Sequence, residues 1–123
     1  MKKSEVFIEL SEQRKPEEIF PASVCFAAEI DGSAVKDKES LMKAVAAAFR
    51  FPSYFGGNWD AMLDCLRSLP DELEGDVFIL SVKNSAAFLA DDPQCRKDFE
   101  EVFLEAAAFI SEAFKKKLVL IRK

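Results

Sequence analysis

Asp60 and Asp64 stand four residues apart in the run Asn58-Trp59-Asp60-Ala61-Met62-Leu63-Asp64-Cys65-Leu66. On a helix that spacing puts both carboxylates on one side, one turn apart. Such a pair can hold Mg²⁺, act as acid and base, or face the cations of a partner. The rest of the chain decides among these uses. Its 123 residues include no histidine, which removes Ser-His-Asp triads, Cys-His pairs, imidazole zinc sites and histidine acid–base catalysis. No nucleophile accompanies the aspartates, and Gly56-Gly57 lacks the Lys-Ser/Thr that completes a Walker phosphate loop. Cys25, Cys65 and Cys95 are odd in number and far apart, with no C-x-x-C pair, so they read as small buried hydrophobes in a reducing compartment. The expectation is a protein that is not an enzyme, with no catalytic residue, no cofactor and no metal site.

Charge narrows the partner. Twenty-two acids against 17 bases give a net charge of −5, and such a chain repels a phosphate backbone, so no nucleic acid is expected to bind. The acids are also concentrated. Residues 57–112 hold 13 acids and 4 bases, whereas residues 113–123 hold five bases and no acid. Met1-Lys2-Lys3 begins like a signal peptide, but Ser4, Glu5 and Glu9 stand where its apolar segment should be. The longest apolar stretches are short and interrupted, so no membrane contact is expected, and the expected location is cytoplasmic.

The elements that must position the two aspartates follow from periodicity and punctuation. Residues 6–10 alternate weakly as a short strand, and Ser11 to Pro21 reads as an irregular polar lead-in. Val24 to Ile30 is an apolar run closed by Asp31-Gly32, which predicts a buried strand. Leu41, Val45, Ala48 and Phe49 recur at helical spacing after Asp37 or Ser40 as cap, predicting a helix over about 38–50 that Pro52 ends. Asn58 is a good N-cap for a helix over Trp59 to Leu69, stopped by Pro70, after which Asp71 to Gly75 forms an acidic turn. Val77 to Val82 is continuously apolar and reads as a strand buried on both faces. Ser85 to Ala90 suits a short helical turn. Pro93 opens a long amphipathic helix with Phe99, Val102, Phe103, Ala106, Phe109, Ile110 and Phe114 as its apolar positions. Leu118 to Ile121 is a last buried strand. The expected fold class is α/β, a small three-stranded parallel sheet flanked by helices.

Within the helix after Asn58, at about 100° per residue, Met62, Cys65, Leu66 and Leu69 share one stripe that must face the core. Asp60 and Asp64 point away from it, and Trp59 and Leu63 lie on the flank. The helix therefore offers two carboxylates and two large apolar side chains on the side turned from the core. Against this stands the plainer use of charge as a solvated face, with Arg67 pairing Asp64 at i,i+3.

The run Pro52-Ser53-Tyr54-Phe55-Gly56-Gly57-Asn58-Trp59-Asp60-Ala61-Met62-Leu63-Asp64-Cys65-Leu66 resembles the P-x-Y-[YF]-G-x-N-x-D-A-x-x-D-C-L signature of the barstar family, intracellular inhibitors of barnase-type ribonucleases. With the strand, long helix and strand that follow, the resemblance covers roughly residues 22–123. It implies a barstar-like three-layer fold for that domain, with residues 1–21 as an N-terminal extension that could add a strand. It also implies that Tyr54, Asp60 and Asp64 lie on a nuclease-binding face, that Gly56 and Asn58 shape the loop-to-helix junction, and that Glu105 joins the acidic face. Phe55, Gly57, Trp59, Leu63 and Arg67 complete the candidate partner-binding set. The chain departs from the family where tryptophans are replaced by Leu63 and Leu69, and where Phe109 stands one turn after Glu105 in place of an acid. The function implied is a protein inhibitor or immunity protein that fills the cleft of a basic ribonuclease or nuclease toxin, Asp60 and Asp64 standing in for phosphates while Tyr54 and Trp59 exclude water. The alternative is an interaction module of the same fold whose protein partner is not a nuclease.

Overall fold

The computed structural model describes residues 3–11 and 13–123, so residues 1, 2 and 12 of the expected extension lie outside the described residues. In chain order the elements are α1 (Lys3–Val6), β1 (Phe7–Glu9), a 3₁₀ turn (Pro16–Ile19), β2 (Cys25–Asp31), a second 3₁₀ turn (Gly32–Ala34), α2 (Lys38–Ala48), α3 (Trp59–Arg67), α4 (Leu69–Glu72), β3 (Val77–Lys83), α5 (Pro93–Phe114) and β4 (Lys117–Arg122). The strands form one parallel sheet in the order β1-β4-β3-β2. The α/β class with a helix-flanked parallel sheet therefore holds, but the sheet has four strands, not three. The fourth is β1, whose Phe7 and Ile8 lie opposite Leu120 and Ile121. The weak alternation of residues 6–10 marks this strand, and its pairing with β4 places it in the sheet. Arg122 secures it, bonding Glu9 Oε1 at 3.2 Å and Glu100 Oε2 at 2.7 Å while its guanidinium lies over Phe7.

The central strand β3 is buried from Val77 to Val82, as a continuous apolar run requires. Its even residues Phe78, Leu80 and Val82 meet Leu118 and Leu120 of β4 and the helices in the main core, which includes Leu41, Val45, Met62, Leu66, Phe99, Phe103 and Ile110. Its odd residues Val77 and Ile79 join Val119 and Ile121 in a smaller cluster on the other face. That face is covered by Ile8, Leu10, Ile19, Phe20 and Cys25. The third layer is thus the N-terminal segment. Among the described residues no helix is long and apolar enough to cross a membrane.

β2 corrects the expectation of a strand buried throughout. It is the sheet edge, and only Ala28 and Ile30 are buried while Ala27, Glu29 and Asp31 are exposed. The turn after it needs glycine for space: a Cβ on Gly32 would sit 2.7 Å from the Lys83 carbonyl oxygen and 2.8 Å from that of Asn84.

The helix ends are set by side chains and backbone together. Asp37 caps α2, accepting from the Ser40 N–H at 2.8 Å, while the Ser40 hydroxyl oxygen accepts from the Asp37 N–H. The helix stops at Ala48, before the expected residue 50. Arg50 turns left-handed at φ 55°, and the Phe51 N–H closes the end on the Ala46 carbonyl at 2.9 Å. Pro70 likewise acts differently from expectation. The helix bearing the aspartates ends at Arg67, where the Ser68 N–H is shared among several carbonyls. Pro70 then sits in the first turn of α4, so Leu69 to Glu72 are helical and not part of a loop. The segment 85–90 forms turns with no helix of its own.

Candidate functional site

Everything at the site depends on where α2 releases the chain. After Arg50 the loop is held by aromatic contacts: Phe51 stacks on Phe49 with centroids 6.4 Å apart, and Phe55 meets Phe51 edge-on at 5.1 Å. The Phe55 N–H donates to the Pro52 carbonyl at 3.0 Å, making a tight turn that leaves Tyr54 at its tip, 81% exposed. Gly57 follows at φ +69°, a conformation that side chains resist. Asn58 then opens α3, its Oδ1 accepting from the Ala61 N–H at 2.8 Å.

The register of α3 is the one its periodicity predicts for the aspartates. Met62, Leu66 and Leu69 are fully buried, while Asp60 and Asp64 are exposed. Trp59 and Leu63 are half-buried and pack against the main core. The ammonium of Lys38 lies 5.3 Å above the Trp59 ring, so much of that indole is already engaged within the chain. Cys65 differs from expectation. It is half-buried, because it lies at the edge of the core stripe beside the Phe49–Tyr54 loop. Burial first, then the Asp64 carboxylate, pushes its thiol pKa up.

The anticipated Arg67–Asp64 pair does not form. Arg67 Nη2 reaches across to α5 and bonds Glu105 Oε1 at 3.4 Å, and its guanidinium lies 5.0 Å above Phe109. Among the described residues neither Asp60 nor Asp64 takes part in an ion pair. Asp64 instead borders a shallow depression of about 30 Å³ with Tyr54, Cys65 and Glu72. The site thus places Tyr54 beside Asp64, with Asp60 one turn earlier on α3 and Glu105 exposed on the neighbouring helix. Phe55 and Gly57 fall on the other side of the loop, lining an open groove of about 590 Å³ against Lys38 and Met42 of α2.

Two residues were missed. Glu72 joins the acidic rim because α4 continues as helix past Pro70. Phe109, one of the apolar positions of the expected helix, is 39% exposed. Its neighbours Phe99, Phe103, Ala106 and Ile110 form the buried line, and position 109 falls one step off it, which the spacing alone could have told.

Chemically, the arrangement is two exposed carboxylates on a capped helix, unpaired among the described residues, with an exposed phenol beside one of them and a third carboxylate on the neighbouring helix. Among the described residues no group of three His, Cys, Asp or Glu side chains converges as a metal site would require. The face is suited to a cationic protein surface. In comparison with known proteins, the family model described as Barstar (barnase inhibitor) matches residues 25–122. No curated protein matches the chain.

Proposed function

Because the chain belongs to the barstar family across residues 25–122, we propose that it is a protein inhibitor of a basic, barnase-type ribonuclease or nuclease toxin, acting inside the cell that carries it. One observation carries the reading: Asp60 and Asp64 are exposed, without an ion pair among the described residues, on the outer side of a helix whose opposite side is locked into the core. Such carboxylates are pre-positioned and need not break an internal bond to meet a partner's guanidinium or ammonium groups. Tyr54 beside them supplies an apolar ring that shields the pairs from water while its hydroxyl stays able to bond. Glu105 and Glu72 extend the negative field and speed encounter with a basic surface. The role is occlusion of a cleft, with binding and no chemistry.

The test is stoichiometric titration of a barnase-type ribonuclease with the purified chain, following RNA cleavage. Activity falling to zero at one equivalent supports the reading. Undiminished activity at a large excess, across barnase and any basic nuclease encoded beside this chain, refutes it and favours the alternative module with a non-nuclease partner.

A further inference from the structure

Arg67 is a cation set within the acidic face, and it is placed to discriminate. Arg67 follows Asp64 by three residues on α3 and bonds Glu105 of α5, while Arg50, a second cation near Asp64, lines the depression with Tyr54. Its guanidinium is held by Glu105 on one side and by the ring of Phe109 beneath, while Nε is buried without a hydrogen-bond partner. Phe109 in turn meets Phe114 edge-on at 6.2 Å. A charge held in this way swings aside only by giving up its contacts with Glu105 and Phe109. An extended row of cations on a partner would meet two or three carboxylates and then a positive charge above an aromatic ring. Like charges juxtaposed at an interface are strongly unfavourable, and a planar guanidinium on an aromatic ring is well suited to receive a carboxylate.

We infer that Arg67 and Phe109 are specificity determinants: they select a protein partner that carries, beside its cationic cleft, a carboxylate next to an apolar side chain, and they disfavour a partner that is cationic throughout. This rests on the inhibitor reading above and names the partner's chemistry at one edge of the same face. Charge complementarity supports the assignment, because here a held cation adjoins both an exposed aromatic ring and an exposed carboxylate. Specificity of this kind combines an attraction for the right partner with a repulsion against the wrong one.

The experiment uses the full chain and catalytically inert barnase as probe, together with barnase variants in which single Lys or Arg residues around the cleft are reversed to Glu. The expected result is that Arg67→Gln and Phe109→Glu each tighten binding to unmodified barnase, and together by about tenfold or more. One of the reversed barnase variants should bind the native chain more tightly than it binds Arg67→Gln. Arg67→Gln keeps the aliphatic stem over Phe109, and Phe109→Glu alters a partly exposed ring, so thermal melts should show both folded. Asp64→Ala is made in each background. Binding that needs Asp64 but is indifferent to Arg67, to Phe109 and to every barnase reversal overturns this inference alone. Binding indifferent to Asp64 in every background overturns the inhibitor reading, and this inference with it.

Discussion

Cys65 reports on the site from within. Its thiol pKa is raised by burial first and by the Asp64 carboxylate second, so less of it is thiolate near neutral pH. Alkylation followed by mass spectrometry should find it slower than a free thiol, and Asp64→Ala should speed it modestly, since burial remains. A rate for Cys65 equal to that of an unfolded control would contradict the register of α3. Asp31 tests a different residue-scale device. The Asn84 side chain and then Ser33 bond its carboxylate and lower its pKa to about 2. A depressed folded-state pKa contributes stability that is present above the unfolded value near 4 and is lost as pH falls toward about 2. Asn84→Gly removes the main cause while suiting the left-handed backbone there, φ 51°. Melts between about pH 4 and pH 2 should show a shallower acid loss for that variant than for the native chain. Parallel curves would contradict the account. At this scale the sequence was informative about Asp60 and Asp64, because the stripe of Met62, Leu66 and Leu69 leaves them one direction to point. It misjudged Arg67, whose partner lies 38 residues away on α5 and cannot be read from i,i+3 spacing.

Helix termini set the quality of the elements, and α5 ends under strain. Lys115 caps it at φ 58°, ψ 36°, a conformation that costs an L-residue about 1–2 kcal/mol, while glycine pays part of that back in lost chain entropy. Lys115→Gly should therefore raise stability by about 0.5–1 kcal/mol in a thermal melt, and Lys115→Val should lower it. A loss on introducing glycine would show that the lysine side chain matters more than its backbone. The long elements were legible for a plain reason: the apolar run of β3 and the period of α5 are repeated often enough to exclude other structures. What escaped was shorter or decided by distant contacts. α4 is stabilised by Leu69 entering the core, which is no local signal, and the weak alternation that marks β1 does not tell that it pairs with β4. β2 was judged buried because Val24 to Ile30 is apolar, yet only position in the sheet decides whether a strand has a second covered face.

The molecule as a whole is a parallel sheet with helices on one side, the N-terminal segment on the other, and an acidic surface at the helical side. Ile8, Leu10, Ile19 and Phe20 cover Val77, Ile79, Val119 and Ile121. Removing residues 1–21 should expose that face and cost roughly 3 kcal/mol or more, seen as a lower melting temperature and binding of a hydrophobic dye. A truncated chain that melts with the native one would contradict this layering. The proposed function uses the helical side, and the direct test is dissociation kinetics with a captured barnase-type ribonuclease. If Asp64 opposes a buried cation of the partner, Asp64→Ala should release it faster, at a cost of about 2–5 kcal/mol, a range whose reference cases include the barnase–barstar complex itself. Glu72→Ala, on the rim of the same depression, should alter mainly the association rate and its salt dependence. Both variants should melt as the native chain does, because both side chains are exposed. An Asp64→Ala variant that melts normally and dissociates as slowly as the native chain would contradict the use of α3 as the inhibitory helix.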